Sequence, residues 1–297
     1  MEALQREGHD VRVFDLRRFP YPGRREVETV VADVVDLQSL LVAMRGCDRV
    51  LHLAAMADVD QVVADPRRAQ AVNAEGTLNV LEAARRSSIE RIVYASTIWV
   101  YGDRVGEAVG EDSELPLPEH FYTATKLAGE MYCHSYGTLY GLQWTILRFG
   151  IPYGPRARLA AVVPSFVHQA LGGSPLTIRG DGDQSRRFVY VEDLAEGVVR
   201  GLLPVAANRV YNLVGQESVT IREVAEVVRR HLGSVAIVHV PGRRGDLVAA
   251  EISGERARQE LGWSATTSFE EGVGRYIDWL REEEPWGEIR SSTGISD

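Results

Sequence analysis

Apolar positions along the first half of the chain fall into two alternating rhythms. Short continuous runs at Val11–Phe14, Arg49–Leu53 and Arg91–Tyr94 read as buried strands of a parallel sheet. Between them, "VVDLQSLLVAMRG" and "NAEGTLNVLEAARRSS" space their apolar residues by three and four, as helices with one buried face do. A longer helical stretch, "EHFYTATKLAGEMYCHSYGTLYG", leads into a strand at "QWTILRF". Strand–helix alternation of this kind predicts right-handed crossovers and an α/β fold whose doubly wound parallel sheet is covered on both faces.

After Gly154 the rhythm changes. "GPRARLAAVVPSFVHQALGGSPLTIRGDGDQSRR" mixes a helix, a Gly/Asp-rich turn and a short strand, whereas "FVYVEDLAEGVVRGLL" and "RVYNLVG" return to the earlier alternation. "TIREVAEVVRRHLG" through "YIDWL" is mostly helical, with one strand at "AIVHVPG". The expected organisation is a sheet domain over residues 1–154 to which 188–214 returns, and a smaller, mostly helical lobe from 155–187 and 215–281. The last residues, 282–297, lack apolar periodicity and read as a frayed tail.

The opening, "MEALQREGHDVRVFDLRR", reads as a helix end, a stop at Gly8 and a strand closing on Asp15. In a doubly wound nucleotide-binding fold this is the second half of the first βαβ unit, with Asp15 placed to meet an adenine ribose. Its carboxylate would accept from a 2′-hydroxyl and repel a 2′-phosphate, favouring NAD, although Arg17 and Arg18 would accommodate that phosphate if they turned inward.

Composition narrows the function classes. A net charge of −9 without a basic block disfavours nucleic acid and anionic membrane as partners. Cys47 and Cys133 form no disulfide framework or metal spacing, and the expected compartment is the cytoplasm. Seven scattered histidines lack any H-x-x-H spacing, so no metal site is expected. Of 33 basic residues, only Lys126 is a lysine, which suggests a position where a planar guanidinium cannot replace a compact ammonium.

Tyr122 lies four residues before Lys126, so the two project from one helix face a turn apart. With 11 tyrosines in 297 residues, chance places one at that offset about 4% of the time. An ammonium near a phenol favours the phenolate and is expected to lower its pKa. The alternative is a surface helix pair. Upstream, "YASTIWVYG" ends a strand with Ser96 and Thr97, at the carboxyl edge where ligands of open α/β sheets collect.

In the order "VLHLAA", "NAEGTLNVLEAAR", "YASTIWVYG", "YTATK", "LRFGIPYGPR", "GDGDQSRRFVYVEDLA", "GRRGD" and "LGW", the chain resembles extended short-chain dehydrogenases/reductases of the nucleotide-sugar epimerase/dehydratase group, UDP-glucose 4-epimerases among them. The resemblance implies a Rossmann-like fold with NAD as cofactor and a UDP- or dTDP-linked sugar as substrate. It implies Tyr122 as the acid/base, Lys126 on the nicotinamide ribose, and Thr97 on the sugar hydroxyl. It also implies Asp15, Asp33, Val34, Leu53, Ala54, Ala55, Asn73, Ser96 and Phe149 around the cofactor. Arg186 and Arg243 would clamp the substrate diphosphate, and a homodimer would form through a bundle including the Tyr122–Lys126 helix. The implied reaction is C4 epimerisation through a transient 4-keto sugar. A one-way nucleotide-sugar ketoreductase and a non-catalytic relic are the alternatives.

Three departures qualify this. Ile98 and Trp99 stand where 4,6-dehydratases carry an Asp–Glu pair, so dehydration is not expected. Gly150 and Ile151 replace a substrate-contacting Asn motif. No G-x-x-G-x-x-G turn occurs; the expectation is that a reading frame extended upstream by roughly 20 residues would supply that turn and its strand. That strand is expected between a flank holding Val11–Phe14 and Arg49–Leu53 and one holding Arg91–Tyr94. Without it, ladder groups would go unpaired at about 1–3 kcal/mol each if buried, and NAD would be held weakly.

Overall fold

The computed structural model of the protein describes residues 1–21, 27–104, 108–242 and 251–283. The chain opens with a one-turn helix α1 (Glu2–Arg6), strand β1 (Arg12–Asp15) and strand β2 (Glu28–Val31), which pairs parallel to β1. Helix α2 (Leu37–Ala43) follows, started by the Asp36 carboxylate accepting from the Gln38 and Ser39 N–H groups. Strand β3 (Arg49–His52) leads to two short helices, α3 (Val59–Ala64) and α4 (Pro66–Gln70), and a π-helical turn at Ala71–Glu75. Helix α5 (Gly76–Arg86) then crosses to strand β4 (Arg91–Thr97).

Beyond β4 come a 3₁₀ turn at Ile98–Tyr101, the two-residue β5 (Ala108–Val109) and the long helix α6 (Phe121–Tyr140). Gly141 ends that helix at φ 70°, a left-handed conformation that favours glycine. Strands β6 (Gln143–Phe149) and β7 (Ile151–Tyr153) precede α7 (Val162–Leu171), β8 (Leu176–Arg179), β9 (Ser185–Arg186), β10 (Phe188–Tyr190) and α8 (Val191–Arg200). The remainder comprises β11 (Arg209–Leu213), β12 (Val219–Thr220), α9 (Ile221–Leu232), β13 (Ile237–Val240), β14 (Glu251–Ile252), α10 (Glu255–Leu261) and α11 (Phe269–Glu283).

The main sheet is parallel, in the order β11-β6-β4-β3, and all seven residues of β4 are buried. Alternation along β4 sends Ile92 and Tyr94 to one face, against Leu81 of α5 and Cys133 of α6. Val93 points to the other face, with Leu194 and Val198 of α8. Residues Ala257, Leu261 and Trp263 join this second face, although the sequence grouped them with the smaller lobe. A separate core holds Phe166, Ile178, Val224, Phe269 and Ile277, and Tyr153, Phe188 and Tyr190 pack into it.

Two sequence expectations need correction. Strand β4 runs to Thr97 rather than stopping at Tyr94, because Ala95, Ser96 and Thr97 pair with Leu147, Arg148 and Phe149. Arg49–His52 pairs in register with Arg91–Tyr94, so it does not share a flank with Val11–Phe14. The discontinuity among the described strands instead falls between β1, whose partner is β2, and β3. Arg12 ties β1 back to the body by donating to the Ala43 and Arg45 carbonyls at the end of α2. The tail reading lies, from residue 284 onward, outside the described residues.

Candidate active site

Parallel strands end on one edge, and the chemistry-bearing residues sit there. Asp15 ends β1, Leu53 to Ala55 follow β3, Ser96 and Thr97 end β4, and Phe149 ends β6 opposite Thr97. Helix α6 packs over that edge with Tyr122 half-buried and Lys126 only 3% exposed.

Thr97 starts the 3₁₀ turn by accepting from the Trp99 N–H at 3.3 Å. That bond uses an oxygen lone pair and leaves the hydroxyl proton to donate. The Trp99 ring meets Tyr122 edge-on at 6.2 Å between centroids and lies 5.8 Å from His120. Thr97 and Tyr122 thus both meet Trp99, the first at its backbone N–H and the second at its indole. Ser96 is turned the other way: its hydroxyl donates to Glu130 at 2.5 Å, inside the strand–helix interface.

Lys126 donates to the Ala95 carbonyl at 2.7 Å, over the Tyr94 ring at 5.0 Å. Burial brings its ammonium down to about 8, with Glu130 pulling in the opposite direction. Burial pushes the Tyr122 phenol up to about 12, with Arg158 opposing. The sequence expectation that Lys126 depresses this phenol is not met here. Desolvation outweighs the cations in reach, and the ammonium is directed at the strand carbonyl.

Asn73, 1% exposed, occupies the π turn, a local irregularity of the kind that marks functional sites. Its side chain accepts from the Met56 N–H at 2.7 Å and donates to the Met56 carbonyl and the Thr125 hydroxyl. The segment after β3 is thereby stitched to α6. Asp15 accepts from the Arg17 N–H and is exposed, as are Leu53 and Ala54. Asp33, beside buried Val34, suffers desolvation, yet its hydrogen bonds from Arg68 and the Val35 N–H hold it below the usual carboxylate range. Arg186 lies in β9 and donates to the Ser185 carbonyl, and β9 pairs with β12 in the smaller lobe. Arg243 lies outside the described residues.

Sequence reasoning did not single out four groups near this site. Trp99 was noted only for the carboxylate it replaces. Arg158, paired with Asp58 at 3.4 Å, reaches Tyr122 with its field. Glu130 and Arg148 form a buried ion pair, 18 residues apart in sequence. His52 bonds Thr77 at 2.9 Å, and since the Thr77 hydroxyl donates to the Asn73 carbonyl, the His52 Nε2 carries the proton.

The NAD dependent epimerase/dehydratase family matches residues 1–214. The chain is 32% identical over 264 residues to the UDP-glucose 4-epimerase of Mycolicibacterium smegmatis, covering 86% of this chain and 83% of that one. It is 28% identical over 271 residues to the dTDP-glucose 4,6-dehydratase of Streptomyces niveus, covering 91% and 80%. Its fold matches the crystal structure of the Thermus thermophilus UDP-glucose 4-epimerase in complex with NAD, at a TM-score of 0.86 and 34% identity over 95% of this chain and 94% of that one. With the parallel sheet, the Tyr122–Lys126 helix over its carboxyl edge and a family match across most of the chain, the protein belongs to the NAD-dependent epimerase/dehydratase family.

Proposed function

We propose that this chain is a nucleotide-sugar epimerase that inverts C4 of a UDP- or dTDP-linked sugar. The observation that carries the reading is the Thr97–Trp99–Tyr122 arrangement: a hydroxyl able to donate sits on the Trp99 backbone and a phenol ring on its indole, with Lys126 one helical turn beyond Tyr122. Thr97 would hold the C4 oxygen while Tyr122 exchanges its proton with it. A phenol near 12 is in its acid form at neutral pH, so the proton-abstracting half of the reaction needs more positive charge beside it. The Lys126 ammonium would supply that charge by turning from the Ala95 carbonyl toward the phenol.

The residues present fit NAD at its two riboses. Exposed Asp15 at the end of β1 would hold the adenine ribose, Asp33 and Val34 the adenine edge, and Lys126 with Tyr122 the nicotinamide ribose. The backbone of Leu53 to Ala55, Asn73 and Phe149 would line the stretch between. NAD bound there supplies the hydride acceptor and donor.

Ile98, 4% exposed, and Trp99 offer no carboxylate for eliminating water, which favours epimerisation over dehydration. Arg186, with Arg243, would meet the diphosphate as planar bidentate donors. Exposed Leu78 of α5 and Met131, Leu139 and Tyr140 of α6 support a homodimer through these helices. The free thiols of Cys47 and Cys133 favour the cytoplasm as compartment.

The test incubates the protein and its Tyr122→Phe variant with added NAD and a panel of UDP- and dTDP-sugars, reading product stereochemistry. C4 epimers are expected from the parent protein, with a loss of about 10²-fold or more in the variant. Net consumption of NADPH with a reduced product indicates the ketoreductase instead. Equal turnover by parent and variant refutes the assignment of Tyr122.

A further inference from the structure

Helix α6 meets β4 through two rungs. Lys126 donates to the Ala95 carbonyl, and one turn later Glu130 accepts from the hydroxyl of the next strand residue, Ser96. The Glu130 carboxylate also takes two parallel bonds from Arg148, Nε to Oε1 at 3.0 Å and Nη2 to Oε2 at 2.8 Å. Three donors thus hold both carboxylate oxygens in place. Arg148 is pinned from the far side by Tyr101, whose own hydroxyl donates to Asn212. Ser96, Glu130, Arg148, Tyr101 and Asn212 are all 5% exposed or less.

Such a network is costly to bury, and an apolar set of the same volume would hold α6 to the sheet equally well. Its placement points to a further role. The titratable and charged groups around Lys126 are His52 from β3, Tyr94 from β4, Tyr122, Glu130 and Cys133 on α6, and Arg148 from β6, which faces Glu130. Burial keeps His52, Tyr94, Tyr122 and Cys133 uncharged. Glu130 is the one carboxylate among these groups, and it lies one helical turn from Lys126 on α6. Arg148 lies beyond it, opposite Ser96 in the β4–β6 register.

We propose that Glu130, clamped by Arg148 and Ser96, is a positioning residue for Lys126: fixed one helical turn away on α6, its carboxylate keeps the ammonium charged inside a dry interface. Without it, burial would favour the neutral amine, which can neither stabilise a phenolate nor donate with full strength to a ribose hydroxyl. The inference rests on the role proposed above for Lys126, but its readout needs no turnover. An inactive enzyme and a wrong assignment of Glu130 therefore give different results.

Because the chain has one lysine, ¹⁵N-lysine labelling yields a single Nζ signal whose pH titration reports Lys126 directly. The parent midpoint is expected near 8. Glu130→Gln/Arg148→Met removes the pair together, leaving no orphaned guanidinium and adding no lysine. Its midpoint is expected to fall by about one pH unit or more, a tenfold loss in proton affinity. A folded double variant whose midpoint stays within about 0.3 unit of the parent overturns the proposal, since a merely structural pair would leave the titration in place. Arg148→Met alone is the second variant. It frees the carboxylate's field, so the midpoint is expected to rise, and a fall or no change overturns the proposal even where the double variant does not fold.

Discussion

Gly129 sits on the buried side of α6, where the helix passes closest to β4. A Cβ there would lie 2.2 Å from the Tyr94 hydroxyl oxygen and 2.4 Å from its Cζ, far inside the 3.4 Å of ordinary contact. Tyr94 is fully buried and its hydroxyl donates to the Lys126 carbonyl, so it cannot swing aside without losing that bond. Gly129→Ala therefore sets three terms against one another. Overpacking costs about 1–3 kcal/mol, and the lost hydrogen bond costs about 1 kcal/mol. Alanine returns about 1 kcal/mol of helix propensity. The net is a destabilisation of about 1–3 kcal/mol, or a fall in Tm of about 2–5 °C for a chain of this size. Differential scanning fluorimetry with near-UV circular dichroism measures it. Adding Tyr94→Phe removes the nearest clashing atom and should recover part of the loss, a coupling that a double-mutant cycle reads directly. A Tm at or above that of the parent, as propensity alone would give, refutes the close approach.

Burial holds His52 down to about 3, against about 6.5 in an unfolded chain, so between those values only the unfolded state takes the proton. Its stabilising contribution is complete above pH ~6.5 and lost progressively as pH falls toward 3. In His52→Asn, which keeps a donor for Thr77, urea midpoints between pH ~4 and ~6.5 should slope less steeply than in the parent; equal slopes count against a buried neutral imidazole. Asn73→Asp is nearly isosteric but sets a buried carboxylate against the Met56 carbonyl. It should cost about 2–4 kcal/mol at neutral pH and less in mild acid, where a protonated acid can donate again, and a pH-independent cost argues against that bond.

Much of the architecture is legible in the apolar rhythm, because helices and strands that cover a parallel sheet must repeat with fixed periods. "QWTILRF" marks β6 from end to end, and Tyr122 and Lys126 fall on one helix as their spacing requires. What escaped is non-local or irregular. Strand β2 is only four residues and its pairing to β1 leaves Glu28 and Val31 exposed, so no buried run announces it. The stretch beginning at Asn73 read as uniform helix, whereas the π turn at Ala71–Glu75 is what swings the Asn73 amide onto Met56. Glu130 and Arg148 look like ordinary charged positions until folding brings them together. The expected pull of Lys126 on Tyr122 failed because helical spacing fixes where a side chain starts, not which acceptor its far end finds.

Strands β4 and β6 have ladder partners on both sides, so their amide hydrogens are the ones expected to exchange slowest. Thr97 and Phe149 close those two strands and face each other in register. The floor of the candidate site is therefore carried by the part of the sheet that opens last, and it should keep its shape through fluctuations that loosen the loops around it.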